Sequence, residues 1–401
     1  MAKEVGLIYS GDFSKYNFGT EHPLRPVRVE LTYSLMKHYG LLDHKDLQII
    51  PPRMATDDEI ALVHSRDYIE VIKKYSILGT YSGIPREPFL YGLGPGDNPI
   101  FRGMYEASAL VAGASIMAAE TVMNHTDGIH YCFNPAGGLH HALRAKASGF
   151  CIFNDIAVAI AYIKHKYPGT KIMYIDIDVH HGDGVQWIFY DDPDVLKVDF
   201  HESGEFLFPG TGFTDEIGEG KGCGFQVNFP LLPKFYDDLY LNLFSRTVPE
   251  LAKAFRPDVV VTQLGVDTHF NDPLASLALS TSGQEKVFRE IHKVVKNYAH
   301  DRWVPVGGGG YLMTVPPRSW TMCLAEMLGV NLPNKLPEAW VKEVATQVPE
   351  ETTPTVLHDY NPTIEGILLR DVEFLIEREE HVERLVKYMH EVILPLIEGK
   401  A

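Results

Sequence analysis

Cysteine is scarce: Cys132, Cys151, Cys223 and Cys323 are the only four in 401 residues, and none belongs to a C-x-x-C pair. So few thiols cannot build a dense disulfide framework, and a reducing compartment is the expected setting. Long apolar runs are lacking too. The longest, around Ala107 to Ala119, carries Gly113 and Ser115 and is flanked by Glu106 and Glu120, and it falls short of the roughly 18 residues that suggest a membrane span. The first residues, Met-Ala-Lys-Glu-Val, show no secretory-signal pattern. Basic charge is in deficit, with Lys and Arg totalling 36 against 53 for Asp and Glu, a net charge of −17 and a pI of about 5.5. That balance repels phosphate backbones and anionic headgroups, so neither nucleic acid nor membrane is an expected partner. A cytoplasmic protein is the expectation. There is no internal repeat, heptad pattern or low-complexity tract.

What is present is core material: 45% of residues are hydrophobic, and a chain of this mass buries roughly three quarters of its unfolded surface. Short β-branched runs alternate with helix-length amphipathic segments, the pattern of a largely parallel sheet covered by helices. Strands are expected at Val5 to Tyr9, Gly128 to Phe133, Lys171 to Ile177, Val195 to Phe200, Phe225 to Phe229, Val259 to Leu264 and Trp303 to Val306. Most are continuous apolar runs, as strands buried on both faces should be. Helical patterns cover Arg102 to Met123, Asp237 to Ala254, Ser282 to Tyr298 and Pro317 to Leu328; Ile156, Ile160 and Ile163 repeat at helical spacing, and Thr56 with Glu59 reads as a capping box. Near the end, Val382, Leu385, Val386, Met389, Val392, Ile393 and Ile397 form one stripe, expected to pack on the body. Two segments look irregular: 77–101, rich in Gly and Pro, and Gln347 to Pro362, which reads as a surface tether. We expect one domain over 1–401, with a catalytic body of about 1–330 and a helical extension of about 331–401.

The chemistry concentrates at strand exits. Tyr174 to Gly184 reads Tyr-Ile-Asp-Ile-Asp-Val-His-His-Gly-Asp-Gly, where an apolar strand runs straight into five ionisable residues at the edge that open α/β sheets use for ligands. Side chains alternate along extended backbone, so Asp176, Asp178 and His180 project to one side within reach of one metal ion. Buried without a cation or full hydrogen bonding, such a cluster is costly. A second cluster, Asn134 to His141, holds Gly137 and Gly138 before His140 and His141; two imidazoles there pair naturally with the remaining carboxylates, and such a pairing raises the basicity of the far nitrogen. Asp267 follows a third strand where a further metal ligand would fall, and Gly307 to Gly310 lead into Tyr311 after a fourth. The glycine run is not the dinucleotide fingerprint, which opens a helix in an early βα unit.

Gly137-Gly138-Leu139-His140-His141, Gly149-Phe150-Cys151, the Asp176 to Gly184 run, Phe208-Pro209-Gly210-Thr211-Gly212, Asp267, Gly307 to Tyr311 and Glu21-His22-Pro23 resemble the zinc-dependent histone deacetylase family, in order and spacing over roughly residues 1 to 330. Within it the chain is most similar to prokaryotic acetoin utilisation (AcuC-like) deacetylases. The resemblance implies an arginase/deacetylase-like α/β fold, an open parallel sheet of about eight strands with helices on both faces. It implies zinc on Asp178, His180 and Asp267; iron(II) is an alternative, because two oxygens and one nitrogen make a harder set than thiolates. His141 is implied as general base and acid, His140 with Asp176 as its electrostatic partner, Asp183 as the residue orienting His141, and Tyr311 as oxyanion donor. Phe150, Phe208 and Leu274 would line a tunnel for lysine methylenes, the Gly149 carbonyl would accept the substrate amide hydrogen, Asp97 would grip substrate backbone, and Arg28 would line an inner cavity.

A structural potassium or sodium ion is implied near Asp176, Asp178, His180 and Phe200, with Asp199 standing where relatives have serine, and a second near the main chain of Phe189, Asp192, Val195 and Phe225. The expected partner is an acetylated protein or peptide. The rival enzyme is an acetylpolyamine amidohydrolase, for which Glu202, Glu205 and Asp215 are acidic rim candidates. A ureohydrolase with two metals and a non-catalytic acyl-lysine binder are more distant alternatives.

Overall fold

The computed structural model describes residues 4–79, 86–361, 364 and 372–400. Its strands are β1 (Val5–Ile8), β2 (Leu47–Ile50), β3 (Tyr131–Phe133), β4 (Ile172–Asp176), β5 (Val195–Glu202), β6 (Gln226–Leu231), β7 (Val259–Gln263) and β8 (Trp303–Val306). They form one sheet in the order β2-β1-β3-β8-β7-β4-β5-β6, and every pairing is parallel. All eight carboxyl ends therefore open on the same edge. Every residue of β1, β3, β4, β5, β6, β7 and β8 is buried; since side chains alternate across a strand, both faces must be covered.

The cover is helical: α1 (Val27–His38), α2 (Asp57–Ile60), α3 (Arg66–Leu78), α4 (Glu87–Leu90), α5 (Met104–Asn124), α6 (Asp155–Lys166), α7 (Asp183–Ile188), α8 (Asp237–Phe255), α9 (Thr281–Tyr298), α10 (Val315–Leu328), α11 (Glu338–Gln347), α12 (Val372–Tyr388) and α13 (Leu394–Glu398). Helix α5 is long and apolar enough to cross a membrane by length and composition, yet 78% of its most apolar window is buried inside the fold. It is a core helix. The capping box at Thr56 forms with both of its hydrogen bonds, although the helix it opens is only four residues long.

Seven strands fall where the apolar runs put them. The eighth, β2, is a four-residue edge strand, Leu-Gln-Ile-Ile, whose Ile49 is 39% exposed; no strand was expected there. The C-terminal stripe packs on the body as expected: Val382, Leu385, Val386, Met389, Ile393 and Ile397 join the main core. The segment after α11 is more than a tether. Val348 and Leu357 enter a second core with Leu31, Leu35 and Trp340, and Asp359 pairs with Arg318 at 2.8 Å and His269 at 3.1 Å. Gly83, Pro85 and Pro362 of the two irregular segments lie outside the described residues.

Candidate functional site

Four adjacent strands in the middle of the sheet, β3, β8, β7 and β4, end in the four clusters singled out above. Adjacency and shared direction bring residues from 134 to 311 to one place. The ligand atoms of Asp178, His180 and Asp267 lie within 4.8 Å of one another, all three side chains are buried, and among the described residues no other group of three His, Cys, Asp or Glu side chains has this property. His180 Nδ1 stands 3.2 Å from Asp178 Oδ1 and 3.1 Å from Asp267 Oδ2. Asp176 is not part of this triad. Its carboxylate turns to His140 Nδ1 at 2.8 Å and also accepts from the hydroxyl of Tyr174, so alternation along the chain alone misassigned the third ligand.

The charges describe what the triad wants. Burial works to lower the His180 pKa, but the two flanking carboxylates outweigh it and hold the imidazole up to about 10. Burial and the nearness of Asp178 drive Asp267 well above the usual carboxylate range. Two buried carboxylates thus compete for one positive charge, and a divalent cation fits that donor set. Backbone and amide donors fix the outer oxygens: Gly309 N–H and the Gln263 side chain donate to Asp178 Oδ2, and Val179 N–H donates to Asp267 Oδ1.

Beside the triad, His141 Nδ1 donates to Asp183 Oδ1 at 2.7 Å, which leaves Nε2 as the free acceptor. Burial, then the neighbouring His140, lowers the His141 pKa to about 4 against the pull of Asp183. The imidazole is neutral at pH 7. Tyr311 has its phenol pushed well above 10 by burial and by Asp267 and Asp178, so its hydroxyl keeps a proton to donate.

These groups line a cavity of about 240 Å³ formed by Asp97, His141, Gly149, Phe150, His180, Leu207, Phe208, Leu274 and Tyr311. Every proposed substrate-contacting residue is on that wall. The rings of His141 and Phe208 meet edge to face at 5.1 Å, and those of Phe150 and Tyr311 at 5.7 Å. Phe150 adopts φ 70°, a costly conformation for a bulky residue that turns its ring into the cavity. Gly149, before it, has no room for a side chain because a Cβ would overlap the His141 ring. Behind lies a smaller space of about 20 Å³ bounded by Arg28, Leu139, Cys151 and Gly308 among others. A larger cleft of about 720 Å³ between α8 and α13, lined by Glu250, Lys253, Ala254, Arg256, Leu394 and Glu398, is an open groove of mixed charge that contains none of the triad, imidazole or phenol groups. The 240 Å³ cavity is the one that His141, His180 and Tyr311 line together.

Several supporting residues had no distinctive sequence signal. Asp155, wholly buried at the start of α6, accepts from Gly138 and Leu139 N–H and from Ser115, and so holds the loop that presents His140 and His141. Asp272 accepts the Tyr311 N–H at 2.8 Å. Gln263 was readable only as a polar end to an apolar strand. Of the acidic rim candidates, Glu202 is buried and accepts from Ser276 N–H, and Glu205 lines a separate cavity with Arg384 and Tyr388. Neither these nor Asp215 lines the main cavity. Both ring nitrogens of His181 are engaged, by Thr211 Oγ1 and by the Gln186 side chain.

The family model described as Histone deacetylase domain matches residues 22–327. The acetoin utilization protein AcuC of Bacillus subtilis (strain 168) is 43% identical over 344 residues, 86% of this chain and 87% of that protein. AcuC of Staphylococcus xylosus is 37% identical over 347 residues, 85% of this chain and 87% of its own length. Among solved structures, an HDAC homologue from Aquifex aeolicus superposes with a TM-score of 0.82 at 32% identity, over 96% of this chain and 100% of that one. An HDAC homologue complexed with SAHA gives 0.83 at 33% identity, with the same coverage.

Proposed function

The chain belongs to the histone deacetylase family, and from that premise we propose that this hydrolase removes acetyl groups from N6-acetyl-lysine in proteins, releasing acetate. The observation that carries the reading is the cavity whose apolar wall, Phe150, Phe208 and Leu274, leads to His141, His180 and Tyr311 at one end. That shape suits an uncharged acyl-lysine stem with its amide at the floor.

A divalent ion, zinc or iron(II), held by Asp178, His180 and Asp267 would polarise the acetyl carbonyl and acidify a water. His141, neutral and with Nε2 free, takes the proton of the attacking water and returns it to the leaving amine. Asp183 fixes its tautomer; His140, backed by Asp176, steadies the charge that develops. The Tyr311 hydroxyl donates to the oxyanion. The Gly149 carbonyl receives the amide N–H of the substrate, and Asp97, exposed at the mouth, holds its backbone.

A structural potassium or sodium ion near Asp176, Asp178, His180, Asp199 and Phe200 belongs to the same reading. Asp176 is pushed well above the usual range by burial and then by Asp199 and Asp178, a repulsion that a cation would relieve. Both Asp199 oxygens are already engaged, by Gly182 N–H and by His201, so its contribution is charge more than a free ligand. Four free cysteines suit a cytoplasmic location.

The test is acetate release from an acetyl-lysine peptide and from an acetylpolyamine, with metal content measured on the same preparation. We expect metal-dependent release from the peptide, abolished by a chelator. Release from the polyamine alone, or none from either substrate with metal bound, would overturn the reading; the acetylpolyamine alternative loses support from the absence of Glu202, Glu205 and Asp215 from the cavity wall.

A further inference from the structure

Strand β5 has an unusual face. Residues alternate across it, so Leu196, Val198 and Phe200 lie on one side and Lys197, Asp199 and His201 on the other, all of them buried. A lysine only 1% exposed inside a sheet is costly unless its amine is matched. Lys197 Nζ donates to the carbonyl of Phe189 at 2.5 Å, where α7 ends. Burial brings the amine down to about 7, while Asp192 and Asp191 pull the other way. Two residues along, Asp199 Oδ2 accepts the N–H of Gly182 at 2.9 Å, where α7 begins. One strand thus offers a carboxylate to the first N–H of the helix and an amine to its last carbonyl, matching the partial charges at the two ends.

The second cation expected near Phe189, Asp192, Val195 and Phe225 does not fit this arrangement. The Phe189 carbonyl is taken by the amine and by Asp192 N–H at 3.2 Å, and the Phe225 carbonyl accepts the Lys197 N–H at 3.0 Å. An ion on the Phe189 carbonyl would meet the amine itself. We propose that the Lys197 amine is a tethered replacement for that monovalent cation, closing the end of α7 and so holding Asp183, at the other end, against His141. Lys197 is a positioning residue, since it acts through the helix and touches no substrate. The inference does not rest on the deacetylase reading, because its readouts are ion occupancy and stability.

Crystals of the wild-type protein soaked in rubidium chloride are expected to show no anomalous peak among the carbonyls of Phe189, Asp192, Val195 and Phe225; a peak there overturns the proposal. In tetramethylammonium chloride, Lys197→Ala is expected to melt a few degrees below wild type. Exchange for potassium chloride at equal ionic strength recovers much of that loss, beyond any response of the wild type. Lys197→Met, which fills the space without a charge, stays low in both salts. An alanine variant as stable as wild type in tetramethylammonium, or equal potassium responses of the two variants, contradicts the substitution of amine for ion. Should the alanine variant fail to fold, the rubidium result decides.

Discussion

Replacing His64 by glutamine is expected to remove part of the acid sensitivity of this fold. His64 is buried against the rings of Tyr68 and Phe153, with Nδ1 on the Leu143 carbonyl at 3.0 Å and Nε2 accepting the Asn154 N–H at 3.0 Å. Both nitrogens are used and the tautomer is fixed; a proton on Nε2 would face the Asn154 donor. Burial accordingly lowers its pKa from 6.5 to about 4. With the folded value below the unfolded one, the unfolded chain binds more protons between them, so the contribution to stability is whole above 6.5 and is lost as pH falls toward 4. Between about pH 7.5 and pH 5 the single histidine is worth about 2 kcal/mol of lost stability. The buried His141 and His181, both also lowered to about 4, act in the same direction but are present in both proteins and cancel. Urea unfolding of wild type and His64→Gln at the two pH values reads the difference directly. The variant should lose about 2 kcal/mol less than wild type; equal losses would refute the neutral, doubly bonded imidazole. The consequence reaches the site, because the Asn154 side chain donates to the carbonyls of His140 and Ala142.

Tyr311→Phe is expected to keep the metal and the fold while slowing acetate release roughly a hundredfold or more, as for loss of one oxyanion donor; near-normal turnover would remove the tyrosine from the chemistry. Gly309→Ala should fold yet bind metal at least roughly tenfold more weakly, because the added Cβ would overlap the Asp267 carboxylate and press on Asp178. Metal retained after dialysis against a chelator, quantified per chain, checks this, and full retention would show that the triad is looser than its packing implies. Asp267→Ala, which deletes the ligand outright, sets the lower limit for that assay.

Much of the site was readable because its chemistry is local. Asp178, His180 and Asp183 lie within one run, and the paired histidines follow two glycines; these are short-range features that announce a strand exit dense in ionisable groups. Asp155 and Asp272 were not readable: one looks like any first-turn helix acid and the other like any turn aspartate, and only their hydrogen bonds to Gly138, Leu139 and Tyr311 give them a role. Lys197 could not be told from an edge-strand lysine until β6 was seen to cover it.

The alternation of buried strand and helix, the four polar exits and the residues available at them are legible in the chain alone, since hydrophobic periodicity and turn chemistry act over a few residues. Alternation along the chain could not tell which of Asp176 and Asp267 stands beside Asp178 and His180; the fold puts Asp267 there and turns Asp176 to His140. That choice depends on β7 pairing with β4 while β3 reaches the same edge through β8. Strand order is fixed by long crossovers and by packing between distant segments, for which a local pattern of side chains carries no signal.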